Sequence, residues 1–231
     1  MEALKNASKK KPVMGSIPMA TLPYTDIPRL MEIYLDNGIY AFCLDFEGRV
    51  PFSVFQKIVQ IHNILKERKV DAFIYAENVN IGKPSKKSSF ITAKDVLSFA
   101  FGLDSISDNH LVGGGRSENV ENLRLFSRKT YAYWKVTPQK IDEFLPENTG
   151  IERKYLLSGS RSMRLDAQKM FNYEQIGFET NSLKEVVEEN RIVEYLRKKE
   201  YVEEKLIKIL VRTRNDAYTK SASLKQFFIG F

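Results

Sequence analysis

Hydrophobic residues in the first half of the chain follow two alternating periods. Short, almost continuous apolar runs occur at VMGSI (13–17), YAFCLDF (40–46) and VDAFIYA (70–76). Between them, segments 27–38 and 54–68 carry apolar residues at helical spacing, as expected for helices with one buried face. Strands of such uniform apolarity are typical of parallel sheets that helices cover on both faces. The pattern therefore predicts consecutive strand–helix units.

The alternation continues to about residue 146. The pattern predicts a helix from Thr92 to Gly102, a fourth strand with its loop over 103–115, a fourth helix over 117–129 and a further strand over 130–136. These units amount to about half of a (β/α)₈ barrel, which takes about 250 residues when complete. We therefore predict an α/β fold of parallel strand–helix units of barrel type, with the barrel partial or incomplete.

After Pro146 the chain becomes rich in Leu, Glu, Lys and Arg. A long helix is predicted from Ser182 to Arg212, opened by the capping pattern of Ser182 and Glu185. Half a barrel leaves strand edges uncovered, so either the C-terminal helices fold back over them or another chain covers them. We favour the second arrangement and predict a homo-oligomer or heteromer. The predicted parts are a flexible basic leader over 1–12, an α/β barrel-like domain over 13–146 and an α-helical region over 151–231.

Composition limits the class of protein. The chain of 231 residues has a net charge of +7, which favours anionic partners such as nucleic acid or a nucleotide, and the alternative is a merely solvated surface. With one cysteine and two histidines, an intrachain disulfide and a cysteine-based zinc site are excluded. We predict no metal and no cofactor, with a carboxylate-bound magnesium as the alternative. No window approaches the roughly 20 apolar residues that span a bilayer, and the N-terminal residues lack the apolar run of a secretory signal. We therefore predict a cytoplasmic protein without a membrane partner.

Polar side chains follow the predicted strands at the positions where parallel α/β folds carry their chemistry. Carboxylates there are suited to act as nucleophile and general base, and Arg49 or Arg116 to hold a phosphate. The alternative is that the carboxylates only cap helices or pair with arginines. The candidates are Asp45, Glu47 and Arg49 after the second strand, Glu77 and Asn78 after the third, and Asp104, Ser107, Asp108 and His110 around the fourth.

Three further features are candidates for chemistry. Gly113, Gly114, Gly115 and Arg116 precede a predicted helix, where backbone amides can hold a phosphate, and the alternative is a flexible turn. Cys43 lies between Phe42 and Leu44, which favours a small core residue over a reactive thiol. A loop beyond the third strand is predicted to contact a nucleic-acid backbone through Lys83, Lys86 and Lys87.

Two short motifs resemble a known family. The segment Gly15-Ser16-Ile17-Pro18, followed by a helix, and VLSFAFGLD from Val96 to Asp104 are similar to late strand–helix units of the tRNA-guanine transglycosylase superfamily. The resemblance covers about residues 13 to 115. It implies a (β/α)₈ barrel that exchanges a guanine base for a deazaguanine through an aspartate nucleophile.

The resemblance also implies which residues act. In the family, the nucleophilic aspartate follows three residues after the aspartate of a glycine–x–aspartate motif. Gly102 and Asp104 match that motif here, but the next position is Ser107, and Asp108 follows it. The family's cysteine-and-histidine zinc site has no counterpart in the sequence. The resemblance thus implies Asp104 and Asp108 as catalytic residues, with Asp45 in support.

Three functions follow from these patterns. A transglycosylase-related protein would bind tRNA or another nucleic acid, for base exchange or as a noncatalytic accessory subunit. A small-molecule enzyme would hold a phosphorylated ligand at the carboxyl ends of the strands, near Gly113 to Arg116. A protein-interaction subunit would make its contact through the C-terminal helices. Whether the protein is an enzyme stays open at this stage.

Overall fold

The structure is a computed structural model that describes residues 12–80, 89–107, 122–145 and 149–219. The chain forms two compact units. Among the described residues, the first unit comprises 12–80, 97–107 and 205–219, and the second comprises 89–96, 122–145 and 149–204. The boundary predicted near residues 146 to 151 falls within the second unit.

Seven strands and six α-helices lie in the described residues. The strands are β1 (Gly15–Pro18), β2 (Ala41–Asp45), β3 (Phe73–Glu77), β4 (Phe90–Thr92), β5 (Ser105–Ile106), β6 (Leu123–Ser127) and β7 (Ala132–Val136). The helices are α1 (Ile27–Asp36), α2 (Phe55–Glu67), α3 (Arg153–Leu157), α4 (Arg161–Glu188), α5 (Ile192–Arg197) and α6 (Glu204–Thr219). Short 3₁₀ turns cover Tyr24–Asp26, Pro51–Ser53, Val96–Phe101 and Pro138–Glu143.

The first unit is built on a four-stranded parallel sheet in which strand order follows chain order, β1-β2-β3-β5. Right-handed crossovers between successive neighbours place the connecting helices on one face, and α1 and α2 contact each other there. Phe42, Leu44 and Ile74 point to that face and are fully buried. This mixed α/β architecture with a parallel sheet confirms the general fold class, and the structure shows no barrel in its described part.

Helix α1 illustrates how the sequence produces this packing. Ile27, Met31 and Leu35 recur every four residues and form the buried side of the helix. The Tyr34 hydroxyl donates a hydrogen bond to the Ser16 carbonyl at 2.8 Å, which ties α1 to β1. Gly38 follows the helix at a φ of +73°, a conformation that glycine adopts without strain.

The second unit combines an antiparallel sheet, β4-β7-β6, with the C-terminal helices. Its apolar core includes Leu125, Val136 and Phe171, and α4 packs against β6. The unit also buries charge. Glu179 is fully buried and accepts hydrogen bonds from the Tyr195 hydroxyl at 2.8 Å and the Lys199 ammonium at 3.2 Å. These two donors replace the water that the carboxylate loses on burial.

Several predicted elements differ from those observed. The strands of the first unit were predicted to be buried on both faces, but Ser16 and Phe73 are exposed, because the face opposite the helices is only partly covered. The helix predicted from Thr92 to Gly102 is wrong. Its first residue ends β4, where Phe90 stacks on Trp134 of β7, and a 3₁₀ turn follows.

The helix predicted over 117–129 is also wrong for its described part, which contains β6. Leu123 and Leu125 are buried on either side of the partly buried Arg124, and all three residues pair with β7, so strand pairing prevails over a helical period. The further strand predicted over 130–136 is confirmed as β7.

The C-terminal region is helical, as predicted, but its helices begin and end elsewhere. Helix α4 begins after Ser160, whose side chain accepts a hydrogen bond from the Met163 amide at 3.3 Å. Ser182 lies inside α4 and donates to the Phe178 carbonyl, so it does not cap a helix start. The predicted continuous helix is interrupted at Asn190, whose φ of +58° cannot continue an α-helix.

Candidate functional site

The carboxyl ends of the parallel strands carry most of the predicted polar residues that the structure describes. Side chains alternate between faces along a strand, and Asp45 pairs with Glu77 in the register of β2 and β3. Both carboxylates therefore leave the sheet on the same face, opposite α1 and α2. On the same face, one step back along the strands, a row crosses the sheet through Ser16, Cys43, Tyr75 and Ser105.

Asp45 is held in place by two donors. Its Oδ1 accepts a hydrogen bond from the Asn78 side-chain amide at 2.9 Å and from the backbone amide of Glu47 at 2.9 Å. Glu47 and Asn78 have φ values of 49° and 53°, in the left-handed region. Residues held in such conformations store of order 1–3 kcal/mol each and cluster at functional sites. The structure thus joins Asp45, Glu47 and Asn78, which the sequence had predicted as site residues.

Glu47 supports the loop that follows β1. Its Oε2 accepts hydrogen bonds from the backbone amides of Ala20 at 2.7 Å and Thr21 at 2.9 Å. From the other side, the Lys57 ammonium donates to the carbonyls of Met19 at 2.7 Å and Leu22 at 2.6 Å. One carboxylate and one ammonium therefore fix the loop at the edge of the site, and Glu47 acts as a positioning residue.

Cys43 and Glu77 form a second contact on this face of the sheet. The Cys43 thiol donates to Glu77 Oε2 over 3.3 Å. Burial, followed by the adjacent Glu77 carboxylate, raises the pKa of Cys43 to about 12. At neutral pH this residue is a protonated thiol and a hydrogen-bond donor, which does not suit a nucleophile.

Ser107 follows β5 at the same edge of the sheet. Its backbone amide donates to the Ala76 carbonyl at 2.8 Å. Its side chain is 4% exposed, and its hydroxyl has no hydrogen-bond partner among the residues that the structure describes. A buried hydroxyl without a partner costs about 1–3 kcal/mol, which is recovered when a ligand atom supplies the missing bond. Ser107 is the position at which the family pattern places its nucleophilic aspartate.

Asp104 lies at the opposite end of its strand. It precedes β5, its backbone amide donates to the Ile74 carbonyl at 2.9 Å, and its Oδ2 accepts from the Ile74 amide at 2.8 Å. Ile74 is near the start of β3, three positions before Glu77, or about 10 Å along the strand. The structure does not bring Asp104 together with Asp45 and Glu77, and Asp104 holds the register between β3 and β5.

The glycine of the same motif also has a structural role. Gly102 has a φ of +76°, and a Cβ atom built on it would lie 2.9 Å from the ring of His62. His62 Nε2 is 3.0 Å from the Phe101 carbonyl, and burial lowers the pKa of this histidine to about 4. The motif from Val96 to Asp104 therefore closes the chain tightly over α2.

The remaining predicted residues divide into two groups. Arg49 is exposed, and its carbonyl accepts from the Asn80 amide at 3.1 Å, so its backbone joins the loops after β2 and β3. The others lie outside the residues that the structure describes, as does the predicted leader up to residue 11. They are Asp108, His110, Gly113, Gly114, Gly115, Arg116, Lys83, Lys86 and Lys87.

Sequence reasoning missed several residues of the site. Lys57 lies on the polar side of α2, and no local signal connects it with a loop 35 or more residues earlier. Cys43 and Tyr75 were assigned to strands buried on both faces. Both strands are almost uniformly apolar in sequence, so no alternation of apolar and polar residues marks the second, partly open face.

Comparisons with known proteins add no relative. No protein-family model matches the chain, and neither a curated protein nor a solved structure matches it at a significant level. Within the described residues, no group of three or more histidine, cysteine, aspartate or glutamate side chains is arranged to hold a metal ion. In the same part of the chain, every helix is too short or too polar to cross a membrane.

The site is rich in hydrogen-bond acceptors. Asp45 and Glu77 present carboxylate oxygens from neighbouring strands, Asn78 lies beside them, and the Ser107 hydroxyl can donate or accept. A set of this kind is suited to a ligand with several N–H donors and is unsuited to a bare phosphate. We call the neighbouring carboxylates of Asp45 and Glu77 the acidic row. The fold and the site together define an α/β protein with this acidic row at the carboxyl edge of its parallel sheet.

Proposed function

We propose that this is a transglycosylase-related protein that binds tRNA or another nucleic acid and holds a guanine-type base at the carboxyl edge of its parallel sheet. The observation that carries the proposal is the pairing of Asp45 with Glu77 on neighbouring strands. A guanine edge presents N1–H and N2–H₂ as adjacent donors, and carboxylates are the acceptors that match them. The net charge of +7 supports contact with a phosphate backbone outside this acidic row.

The strand order supports the relationship at the level of the fold. Successive parallel strands that are neighbours in the sheet, with helices on one face, form the repeating unit of a (β/α) barrel. We propose that the four strands are such a segment, in a cytoplasmic protein, and that further chain completes the enclosure of the open face. The residues that cross the sheet on that face would then line the interior: Ser16, Cys43, Tyr75 and Ser105.

Among the two forms of the proposal, a noncatalytic binding subunit is better supported than base exchange. Base exchange needs an unencumbered carboxylate beside the ribose carbon. Asp104 is occupied by the Ile74 amide, Asp45 by two donors, and the family's nucleophile position is Ser107. Asp108 lies outside the described residues and would be the remaining candidate.

Base binding is tested by calorimetric titration with guanine and with hypoxanthine, which lacks the 2-amino group. We expect guanine to bind more tightly, because hypoxanthine leaves one carboxylate oxygen without its donor. The double variant Asp45→Asn and Glu77→Gln should lower guanine affinity by about 10-fold or more, since hydrogen bonds to charged groups contribute about 1.5–3 kcal/mol. Asp71→Asn, an exposed carboxylate before β3, is the matched control and should bind as the wild type does.

Nucleic-acid binding is measured separately, by fluorescence anisotropy with unmodified tRNA across a salt series. The double variant should keep the salt dependence of the wild type, because phosphate contacts lie elsewhere. The proposal of a base site is wrong if neither base binds saturably, or if Asp71→Asn weakens binding as much as the double variant. The proposal of nucleic-acid binding is wrong if tRNA affinity is absent at low salt.

A further inference from the structure

Helix α4 carries a stripe with large, exposed apolar side chains on the side that faces away from its unit. The helix buries Phe171, Gln175 and Glu179 on its inner side. On the opposite side, Met163 and Met170 are each 59% exposed and Tyr173 is 44% exposed. Large side chains of this kind rarely line one exposed helix face unless the face has a partner. The stripe is independent of the candidate site and of the proposed function.

The stripe has the spacing of a coiled-coil seam. Alternating steps of three and four residues, which keep side chains on one helix face, run without interruption from one end of α4 to the other. The positions are Met163, Asp166, Met170, Tyr173, Gly177, Thr180, Lys184 and Val187. The Thr180 hydroxyl donates to the Ile176 carbonyl at 2.8 Å, so its methyl group is left for packing.

The stripe is complementary to itself when a second copy runs in the opposite direction. We place a two-fold axis at residue 175, close to the middle of α4. Each residue before 175 then faces the residue that lies equally far after 175 in the second copy. The large Tyr173 then meets Gly177, where a Cβ atom would find nothing within 4 Å. Met170 meets Thr180, and Met163 meets Val187. At the two inner pairs, a large residue faces a smaller one, which lets the two helices approach closely.

The charges obey the same symmetry. Asp166 and Lys184 are the two charged residues of the stripe, both are exposed, and they oppose each other across the same axis. Within one helix they are 18 residues apart, or about 27 Å, which excludes direct contact. A parallel second copy would instead place aspartate against aspartate and lysine against lysine. The charge pattern therefore selects the antiparallel arrangement.

We propose that this stripe of α4 is an interface between two copies of the chain, which pair as an antiparallel two-helix seam with a two-fold axis near residue 175. Each dimer contains two Asp166–Lys184 contacts, one on each side of the axis, as an isologous interface demands. Tyr173 of each copy packs over Gly177 of the other and forms the centre of the seam.

Sedimentation equilibrium of the full-length chain over a wide concentration range tests the proposal. The wild type should show a reversible monomer–dimer equilibrium. Asp166→Lys and Lys184→Asp should each weaken the dimer by at least about fivefold, because each creates two like-charge contacts. The double variant, with Asp166→Lys and Lys184→Asp together, should return to within about twofold of the wild type. Circular dichroism confirms that each variant keeps its helix content.

The outcomes separate the alternatives. A wild type that stays monomeric at the highest soluble concentration overturns the proposal, as does a dimer that neither single substitution weakens. A dimer weakened by the single substitutions but not restored in the double variant contradicts the antiparallel register. Restoration supports the proposal strongly, because residues about 27 Å apart on one helix can compensate each other only through a second copy.

Discussion

At the scale of single residues, Asp95 combines full burial with a titratable group. The Tyr133 hydroxyl donates to its Oδ2 at 2.6 Å. Burial raises the pKa of Asp95 from 3.8 to about 6, although the hydrogen bond from Tyr133 acts in the opposite direction. The folded protein therefore retains a proton on this carboxyl at a pH where the unfolded chain has already released it.

The sign of the resulting pH dependence follows from linkage. Between pH 3.8 and about 6 the folded state binds more protons at Asp95 than the unfolded state, so this group's contribution to stability falls as the pH rises. Asp95→Asn keeps an acceptor for Tyr133 and removes the titration. We expect the variant to be more stable than the wild type at pH 7 by about 1–3 kcal/mol, and to lose this advantage near pH 4.

Urea unfolding at several pH values between 4 and 7 measures this difference. Asp71→Asn, which changes an exposed carboxylate, serves as the control and should alter the free energy of unfolding by no more than about 0.5 kcal/mol. Parallel pH profiles for the wild type and Asp95→Asn would contradict the assignment. This residue could not be predicted from the sequence, because its hydrogen-bond partner is a tyrosine 38 positions later.

At the scale of elements, the turn before β5 depends on a glycine. Gly102 and Gly38 both have positive φ, at 76° and 73°, and both follow a helical segment. Only Gly102 lies against another side chain, the ring of His62. We expect Gly38→Ala to cost about 1 kcal/mol, the penalty for the left-handed conformation. Gly102→Ala should cost about 2–4 kcal/mol, because it adds a clash with a buried ring.

The two variants form a matched pair, since backbone strain is common to both and the contact is not. Chemical denaturation of each gives the free energy of unfolding. If the two glycine substitutions cost the same, the close approach of His62 has no energetic importance. A second measurement, Gly102→Ala combined with His62→Ala, should recover part of the loss if the clash is its cause.

Elements of the first unit could be predicted from the sequence, because their signals are local. Strand β2 and helix α2 have clear periods of apolar residues and clear ends. Strand β6 could not be predicted this way, because its pairing with β7 decides its conformation and its own sequence also fits a helix. Most of helix α4, over residues 161–181, was not predicted, because its buried side includes glutamine, asparagine and glutamate side chains in place of a continuous apolar pattern.

The candidate site shows the same division. Strand exits at Asp45, Glu77 and Asn78 could be predicted, because parallel strands end at one edge of a sheet. The role of Asp104 could not, since it depends on where β5 begins relative to β3. Because β5 has only two residues, its pairing with β3 decides at which edge of the sheet Asp104 lies. The spacing of residues in the sequence does not show this pairing.

At the scale of the whole molecule, the chain passes between its two units four times, near residues 80, 96, 109 and 204. Each unit therefore contains segments that are distant in sequence. Contacts of this kind slow folding, because long loops must close before the contacts form. Apolar residues of α6, such as Ile207 and Leu210, are buried in the fold although the second unit separates them in sequence from the strands of the first unit.

The whole chain also contains a single cysteine, and that cysteine lies in the candidate site. Its alkylation rate therefore reports on this one place without any engineered label. Because the pKa of Cys43 is raised to about 12, the folded protein should react with iodoacetamide at pH 8 about a thousandfold more slowly than a free thiol. Glu77→Gln removes the adjacent negative charge and should accelerate the reaction.

Urea-unfolded protein gives the reference rate, and a folded protein that reacts as fast as this reference would contradict the Cys43–Glu77 contact. A ligand that occupies the acidic row should slow the reaction further, so the alkylation rate of Cys43 measures whether the proposed base site is occupied.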